Sequence, residues 1–491
     1  MKHRQAVVKS SFSTKTFRKN CLKKITKSKI YEELRAVRKD SLSSYLSDYQ
    51  AFFKLKTCNL LPKAGLYIRG LFQTERNKRN IERMSEETDS DYQNQQQFIS
   101  DSPWSAQELM ARLGVDTNNL FGDKLNQSLG IDESSNGKAG KHSVGVSHQY
   151  NGNKGKTDNC QTGVFASLSL GNKVGIIGTK LFLPDEWIND PERCAKAGIP
   201  PSAIVKKTKI ELALDLIKET KSTGVEFGWI NADGLYGSSY GFCKAIDEMG
   251  EKFVVDVHKD QMVYLTKPEI YVPVKEKYRG RKHTRPVTDT KPVEVQNYIK
   301  TLRPSDFQEV NIRKGTKGWL RAKVHIISVW VWDNEESQAR ERTLLIRKPI
   351  NKKDAIKYCL SNFTTKEKTA QQFAFMQGQR FWIERAFEDQ KGELGMSDYQ
   401  VRKYIAWNHH QALVMLAMLF VNKQKIIHQE NIPLLSVRDI RLQLIALLKE
   451  RGAYMEKEID KMIIRHDQRI NDISRYYPDN DYFDEKSKIT K

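Results

Sequence analysis

From Gly130 onward the apolar pattern of this 491-residue chain changes from helical spacing to short strand-like runs, and the order of those runs leaves few folds open. Asp132 follows a short apolar approach and opens a turn rich in Gly and Lys, Asn136-Gly-Lys-Ala-Gly-Lys141. Residues 143–149, 163–170 and 174–183 then read as strands separated by Gly/Asn turns. Thr208 caps a helix over 209–222 that Gly224 closes. A strand over 225–233, a helix over 238–249 closed by Gly250, and a strand over 252–257 follow. Strands joined through helices of this length are expected as parallel neighbours, because a hairpin needs only a tight turn. Residues 258–350, rich in Lys, Arg, Val and Thr, break the rhythm, with strands near 323–332 and 343–347. An apolar helix over 401–421 and amphipathic helices over 435–475 close the pattern.

The stretch Arg380-Phe-Trp-Ile-Glu384-Arg-Ala-Phe-Glu-Asp-Gln-Lys391 reads as a helix. At about 100° per residue, Glu384 and Lys391 fall within roughly 40° of Arg380. Phe381, Trp382, Ile383, Ala386 and Phe387 make this helix a packed one. Alone, the commoner meaning is an ion-paired core helix. Two further acids change its weight. Asp233 ends the strand Val225-Glu-Phe-Gly-Trp-Ile-Asn-Ala-Asp233, and carboxyl ends of parallel strands are where α/β sites form. Gly234 and Gly237 are expected to let the chain turn sharply and to leave backbone space. Asp132 lies on the first strand. Its neighbour Glu133 points to the opposite sheet face if both are in a strand, so only one of them can join the site.

The expected fold is therefore α/β: a ribonuclease-H-like core with a β-rich insertion before the helix that carries the third acid. A mostly helical amino-terminal region and a helical carboxyl-terminal segment flank it. The expected boundaries are 1–125, 126–257, 258–350, 351–425 and 426–491. In the amino-terminal part, Ser105 caps a helix that Gly114 stops, and the polar stretch 85–97 reads as a linker. Three carboxylates suit two divalent ions with oxygen ligands, magnesium or manganese, which stabilise the attacking and leaving oxygens of a phosphoryl transfer. Arg380 and Lys391 would then hold a DNA backbone, with Lys141 and His142 as further phosphate contacts.

Charge points the same way. The net charge is +22, and residues 1–40 carry 13 Lys/Arg against 3 Asp/Glu. A basic amino-terminal arm implies nucleic-acid binding. The six cysteines include no C-x-x-C pair, which argues against a structural zinc site or a disulfide framework. The apolar run Ala412–Val421 is about half a membrane span, so a buried helix is expected and no membrane partner. The expected location is the cytosol, with the nucleoid as the site of action. His409 and His410, adjacent on an apolar helix, are expected in core packing. Trp319 reads as a packed strand residue, and Glu388 as a surface group beside the true third acid.

These residues resemble bacterial insertion-sequence transposases with a DDE active site, and more closely the group named for insertion sequence seven-zero-one. Ordered matches include Tyr67-Ile-Arg-Gly-Leu71, Phe98-Ile-Ser-Asp-Ser-Pro-Trp104, Ile131-Asp-Glu-Ser, Ala232-Asp-Gly-Leu-Tyr-Gly237 and Trp407-Asn-His-His410. The resemblance covers roughly residues 45–425. It implies that Asp132, Asp233 and Glu384 form the catalytic, metal-binding triad. It further implies that Arg380 and Lys391 match the Arg and Lys of the Y-R-E-K signature. The partners implied are terminal inverted repeats and target DNA, bound by a homodimer. The chain departs from the signature at Gln377, where a tyrosine is expected, and this bears on any hairpin step. Rival readings are a catalytically silent DNA-binding relative and a nonspecific metal-dependent nuclease of the same fold.

Overall fold

The computed structural model describes residues 39–273, 284–350, 355–430, 432, 434–448 and 452–477. The basic arm expected within 1–40, the extreme carboxyl terminus and part of the insertion lie outside these residues. The chain divides into two compact units. The larger holds Tyr45–Arg313 and Leu320–Asn422, and the smaller includes Lys314–Trp319 and the described residues beyond Asn422. Residues 45–125 and most of 258–350 thus fold in one unit with the strands around the three acids.

After a short helical turn (Gln50–Phe53), the larger unit holds helices α1 (Leu61–Gln73), α2 (Ile81–Thr88), α3 (Tyr92–Ser100) and α4 (Ala106–Phe121). The stretch read as a linker, 85–97, is instead mostly helical. Asn80 and Asp91 cap α2 and α3, and Phe98 and Ile99 are fully buried. Tertiary burial outweighs the polar composition there. Helix α4 also runs past Gly114, where a stop was expected. A Cβ at Gly114 would lie 3.5 Å from Val225, so this glycine marks a close packing contact inside the helix rather than its end.

Strands β1 (Ser128–Gly137), β2 (Ser147–Asn151), β3 (Lys156–Leu170) and β4 (Lys173–Leu181) form an antiparallel meander in which β1 and β4 flank β3. The turn after Asp132 is placed later than expected, since Asp132 sits in the middle of β1 and the loop covers 138–146. Helix α5 (Lys209–Ser222) is opened by a capping box of Thr208 and Glu211. It leads to β5 (Trp229–Ala232), which adds to β1 in parallel. Helix α6 (Tyr240–Glu248) leads to β6 (Val254–Val257), and a parallel bridge joins Phe253 to Ile230. The expected parallel neighbours are therefore present.

Strand β6 opens a second five-stranded sheet. After a small ribbon, β7 (Met262–Val263) with β8 (Val293–Glu294), the order continues through β9 (Gln308–Gly315), β10 (Gly318–Val331), β11 (Arg340–Pro349) and β12 (Lys357–Ser361). The chain returns by β12, which pairs with β6, so the insertion extends the sheet. One face of this sheet is covered by α7 (Ala370–Gly378), whose Phe373 and Ala374 bury against Trp229, Val254, Val324 and Leu345. Helix α8 (Phe381–Leu394) follows almost at once, then α9 (Tyr404–His428), in which residues 412–421 are buried throughout. Among the described residues no helix is long and apolar enough to cross a membrane.

In the smaller unit α10 (Val437–Leu448) packs on α11 (Gly452–Tyr476). Buried Asp439 accepts from Arg465 and Arg469. Trp319 meets Tyr477 edge-on at 6.4 Å.

Candidate active site

Strand register brings the first two acids together. Ile131 of β1 lies opposite Ala232 of β5 in a parallel pair, so the next residues, Asp132 and Asp233, fall side by side, about 5 Å apart between strands. The bridge from Ile230 to Phe253 carries the row one strand further, because three residues on in each strand stand Asp233 and Asp256. Three aspartates thus form a row across β1, β5 and β6. Their sheet face is the one that α7 and α8 cover. Gly130, two residues before Asp132, would place a Cβ 3.6 Å from Ile383 of α8. On the other face, Glu133 accepts from Lys209 (3.1 Å) and Tyr236 (2.9 Å). Strand alternation thus sends Asp132 toward α8 and Glu133 away from it.

Gly237 has a sharper role than turning the chain. A Cβ there would come within 2.0 Å of the Asp256 carbonyl oxygen. The residue keeps the turn after Asp233 pressed on β6. The Asp233 side chain accepts from the Leu235 amide at 3.0 Å, which fixes its carboxylate at the start of that turn.

Helix α8 places Arg380 over the row. Its guanidinium contacts Glu384 at 2.7 Å, Asp256 at 3.0 Å and Asp132 at 3.8 Å. Arg380 is only 16% exposed, whereas Glu384 is half exposed. Burial works against the arginine's charge, but Asp256, Glu384, Asp132 and Asp233 together hold it more firmly protonated than usual. Burial and the neighbouring Asp233 push the Asp132 carboxyl up to about 8. Asp233 is also raised, by burial and by Glu133. Burial lowers Lys391 to about 8, although Asp132 opposes this. Lys391 lies beside β1 and lines a small cleft with Ser134, Asn136, Gln161 and Tyr399.

In the sequence, Asp256 shows only as a single charge inside the apolar run Phe253-Val-Val-Asp-Val257. It is tied on every side. Gln377 donates to it at 2.8 Å and Cys359 at 3.0 Å, and Lys357 lies at 3.9 Å. Gln377, in the place of the signature's tyrosine, is buried at the end of α7 and accepts from Arg347.

Lys141 and His142 are exposed in the loop beyond β1, whose end lies about 17 Å along the strand from Asp132. Arg193 holds that loop through the Lys141 carbonyl at 2.8 Å. The structure does not bring these two side chains to the acids. Glu388 pairs with Arg385 at 2.9 Å on the outer side of α8. His409 stacks on Trp104 at 3.8 Å, and His410 bonds the Tyr67 hydroxyl at 2.8 Å. Both are core residues, and burial lowers His410 to about 3.

The donors of the row are all carboxylate oxygens, which suits a hard divalent cation. Burial first, and then the neighbouring acids, raise Asp132 and Asp233 despite Arg380 nearby. Among the described residues, no three His, Cys, Asp or Glu side chains already stand as a metal cage, and Arg380 holds the centre. The acids fit such an ion in charge and in donor type, with Glu384 turned to Arg380.

The site is a mixed α/β sheet with acids aligned on adjacent strands, under a helix carrying another acid. The chain belongs to the DDE superfamily of endonucleases: the family model described as DDE superfamily endonuclease matches residues 58–319. That span holds Asp132 and Asp233 and ends before Glu384. A curated relative, "Probable transposase for insertion sequence element IS701" of Microchaete diplosiphon, is 26% identical over 309 residues, 62% of this chain and 68% of the relative. Among solved structures, a piggyBac transposase synaptic complex with hairpin DNA aligns over 90% of this chain and 86% of that one. Its TM-score is 0.37 at 11% identity.

Proposed function

We propose that this protein is a DNA transposase with a ribonuclease-H-like catalytic core. It binds the terminal inverted repeats of its own insertion sequence as a homodimer, cuts the strands, and joins the freed 3′-hydroxyls to target DNA. The observation that carries this reading is the alignment of Asp132 and Asp233 on adjacent parallel strands, beneath the helix bearing Glu384. These three acids are the proposed magnesium ligands. When bound, two such ions supply an activated water and stabilise the attacking and leaving oxygens of an in-line displacement.

The chain's own groups prepare the place. The β1/β5 register fixes the spacing of Asp132 and Asp233, and the Leu235 amide orients Asp233. Arg380 offsets the negative charge of the aspartate row, so its partly buried carboxylates do not repel one another unopposed. Asp132, Asp233 and Glu384 would hold the cations, and Arg380 and Lys391 would then be the neighbouring positive groups for a phosphate backbone. Lys141 and His142 are proposed as contacts to DNA further from the cut. The helical amino-terminal region and the β-rich insertion are proposed to read the element ends.

The test is strand cleavage of DNA carrying the element's ends, with magnesium. Asp233→Asn and Glu384→Gln are expected to abolish cutting while retaining DNA binding. If either variant still cuts at the wild-type rate, the triad assignment is wrong. A second reading, a catalytically silent DNA-binding relative, draws on the closed position of Arg380 among the acids. It would be favoured if calorimetry detects no manganese or magnesium binding to the wild-type protein and none of its preparations cleaves.

A further inference from the structure

Among the described residues, two arginines beside the acid row have no acid of their own. Arg313, on β9, sets its guanidinium carbon over Phe381, 3.6 Å from the ring centroid, and 5.5 Å from the Trp382 ring centroid. Arg347, on β11, gives its Nη1 to the neutral amide oxygen of Gln377. Both are half-buried. Among the described residues neither has a carboxylate within ion-pair reach, in contrast to Arg340 and Arg342, which share Asp247. Arg313 is less readily charged than usual, because of burial and the charge of Arg347 nearby. Like charges gathered without a counter-ion are unfavourable in the free protein, and an anion arriving between them relieves that cost.

We propose that Arg313 and Arg347 form a binding site for a phosphodiester group of the DNA strand that lies across the acids. The geometry suits that ligand. A guanidinium stacked by its face on an aromatic ring keeps its N–H edge free for the two-pronged bond that phosphate oxygens accept. The place suits it as well. Arg347 reaches Asp256 through one amide, Gln377, and Arg313 sits on the residue next to Arg380. A strand with one phosphate at the aspartate row therefore runs past these arginines with a neighbouring phosphate. Arg380 is committed to three carboxylates, so in the free protein Arg313 and Arg347 are, with Lys391, the described cations near the acid row that can meet a first phosphate.

This inference rests on the reading that the protein binds DNA, and it is separable from catalysis. The test uses the full chain without divalent ions, and fluorescein-labelled single-stranded and duplex oligonucleotides of arbitrary sequence as probes. Binding is followed by anisotropy between about 50 and 200 mM salt. R313Q/R347Q is expected to weaken binding by about tenfold at the low-salt end and to reduce the salt slope by about 1 to 2. R313K/R347K, which keeps both charges, is expected to retain the wild-type slope. Should the glutamine pair fail to fold, R313Q alone carries the test with a slope change of about 1. A glutamine variant with the wild-type slope and affinity overturns the site. So does a wild-type protein that inorganic phosphate stabilises against heat while the glutamine variant's oligonucleotide slope stays unchanged, since the site would then take a free anion and not a strand. A wild-type protein that binds no oligonucleotide sinks this inference and the proposed function together. Loss of slope in the variant, in a wild-type protein that never cleaves, supports the site and sinks only the catalytic reading.

Discussion

At the scale of single residues, the site is held under electrostatic tension. Asp132 is buried and raised to about 8, far above the ordinary range near 4. The sign follows from linkage. The folded state holds a proton on Asp132 that the unfolded chain has released, so stability is present below about pH 4 and is lost as pH rises through about 8. Asp132→Asn is expected to raise the melting temperature at pH 7 to 8 in the presence of a chelator, and to flatten that part of the pH profile. Thermal denaturation across pH checks it, and an unchanged or lower melting temperature at pH 8 would show that burial and Asp233 do not strain the Asp132 carboxylate. Asp256 acts differently, because it shares Arg380 with Glu384 and Asp132. Asp256→Asn leaves Arg380 to the proposed metal ligands alone, and is expected to weaken manganese binding in calorimetry by about tenfold, or 1.4 kcal/mol. Tighter binding in that variant would show that Asp256 does not draw the arginine away.

At the scale of elements, the site depends on how closely backbones approach. Gly237→Ala would push a methyl group into the Asp256 carbonyl, and it is expected to destabilise the protein by about 2–3 kcal/mol. Denaturant titration measures it, and a loss below about 0.5 kcal/mol would mean that the turn and β6 move apart easily. Helix α8 is anchored at its other end by Arg79. This side chain is fully buried, pairs with Asp398 at 3.2 Å and donates to the carbonyls of Gly392 and Glu393 in the last turn of α8. Those carbonyls lack helical partners. Arg79→Ala leaves Asp398 and the helix end uncompensated, with an expected loss of about 3–5 kcal/mol. A chevron or equilibrium unfolding curve within about 1 kcal/mol of wild type would remove Arg79 from this role. The tie also explains why the segment before α2 belongs to the same unit as the acids.

At the scale of the whole molecule, the net charge of +22 predicts DNA binding that weakens steeply with salt, a dependence that anisotropy between about 50 and 200 mM measures directly. A flat dependence would remove the polyanion from the argument. Much of the architecture is legible in the chain itself. The meander, the helix–strand–helix–strand continuation and the apolar helix over 412–421 follow from local apolar periodicity, turn residues and caps, which are short-range properties. So is the pairing of Arg380 with Glu384, because one helical turn fixes it. The stretch 85–97 and Gly114 depart from the local expectation for a shared reason: a polar composition or a glycine sets only a weak local preference, and burial of Phe98, or of Gly114 against Val225, outweighs it. What the sequence by itself determined is therefore the kind and order of elements, the three acids on them and the basic balance of the chain. Only the tertiary structure decided that Asp256 completes a row with Asp132 and Asp233, that Arg380 closes over it, and that Arg313 and Arg347 stand without an acid among the described residues. Register between strands distant in sequence sets those relations, and a long-range pairing leaves no trace in the local pattern of either strand.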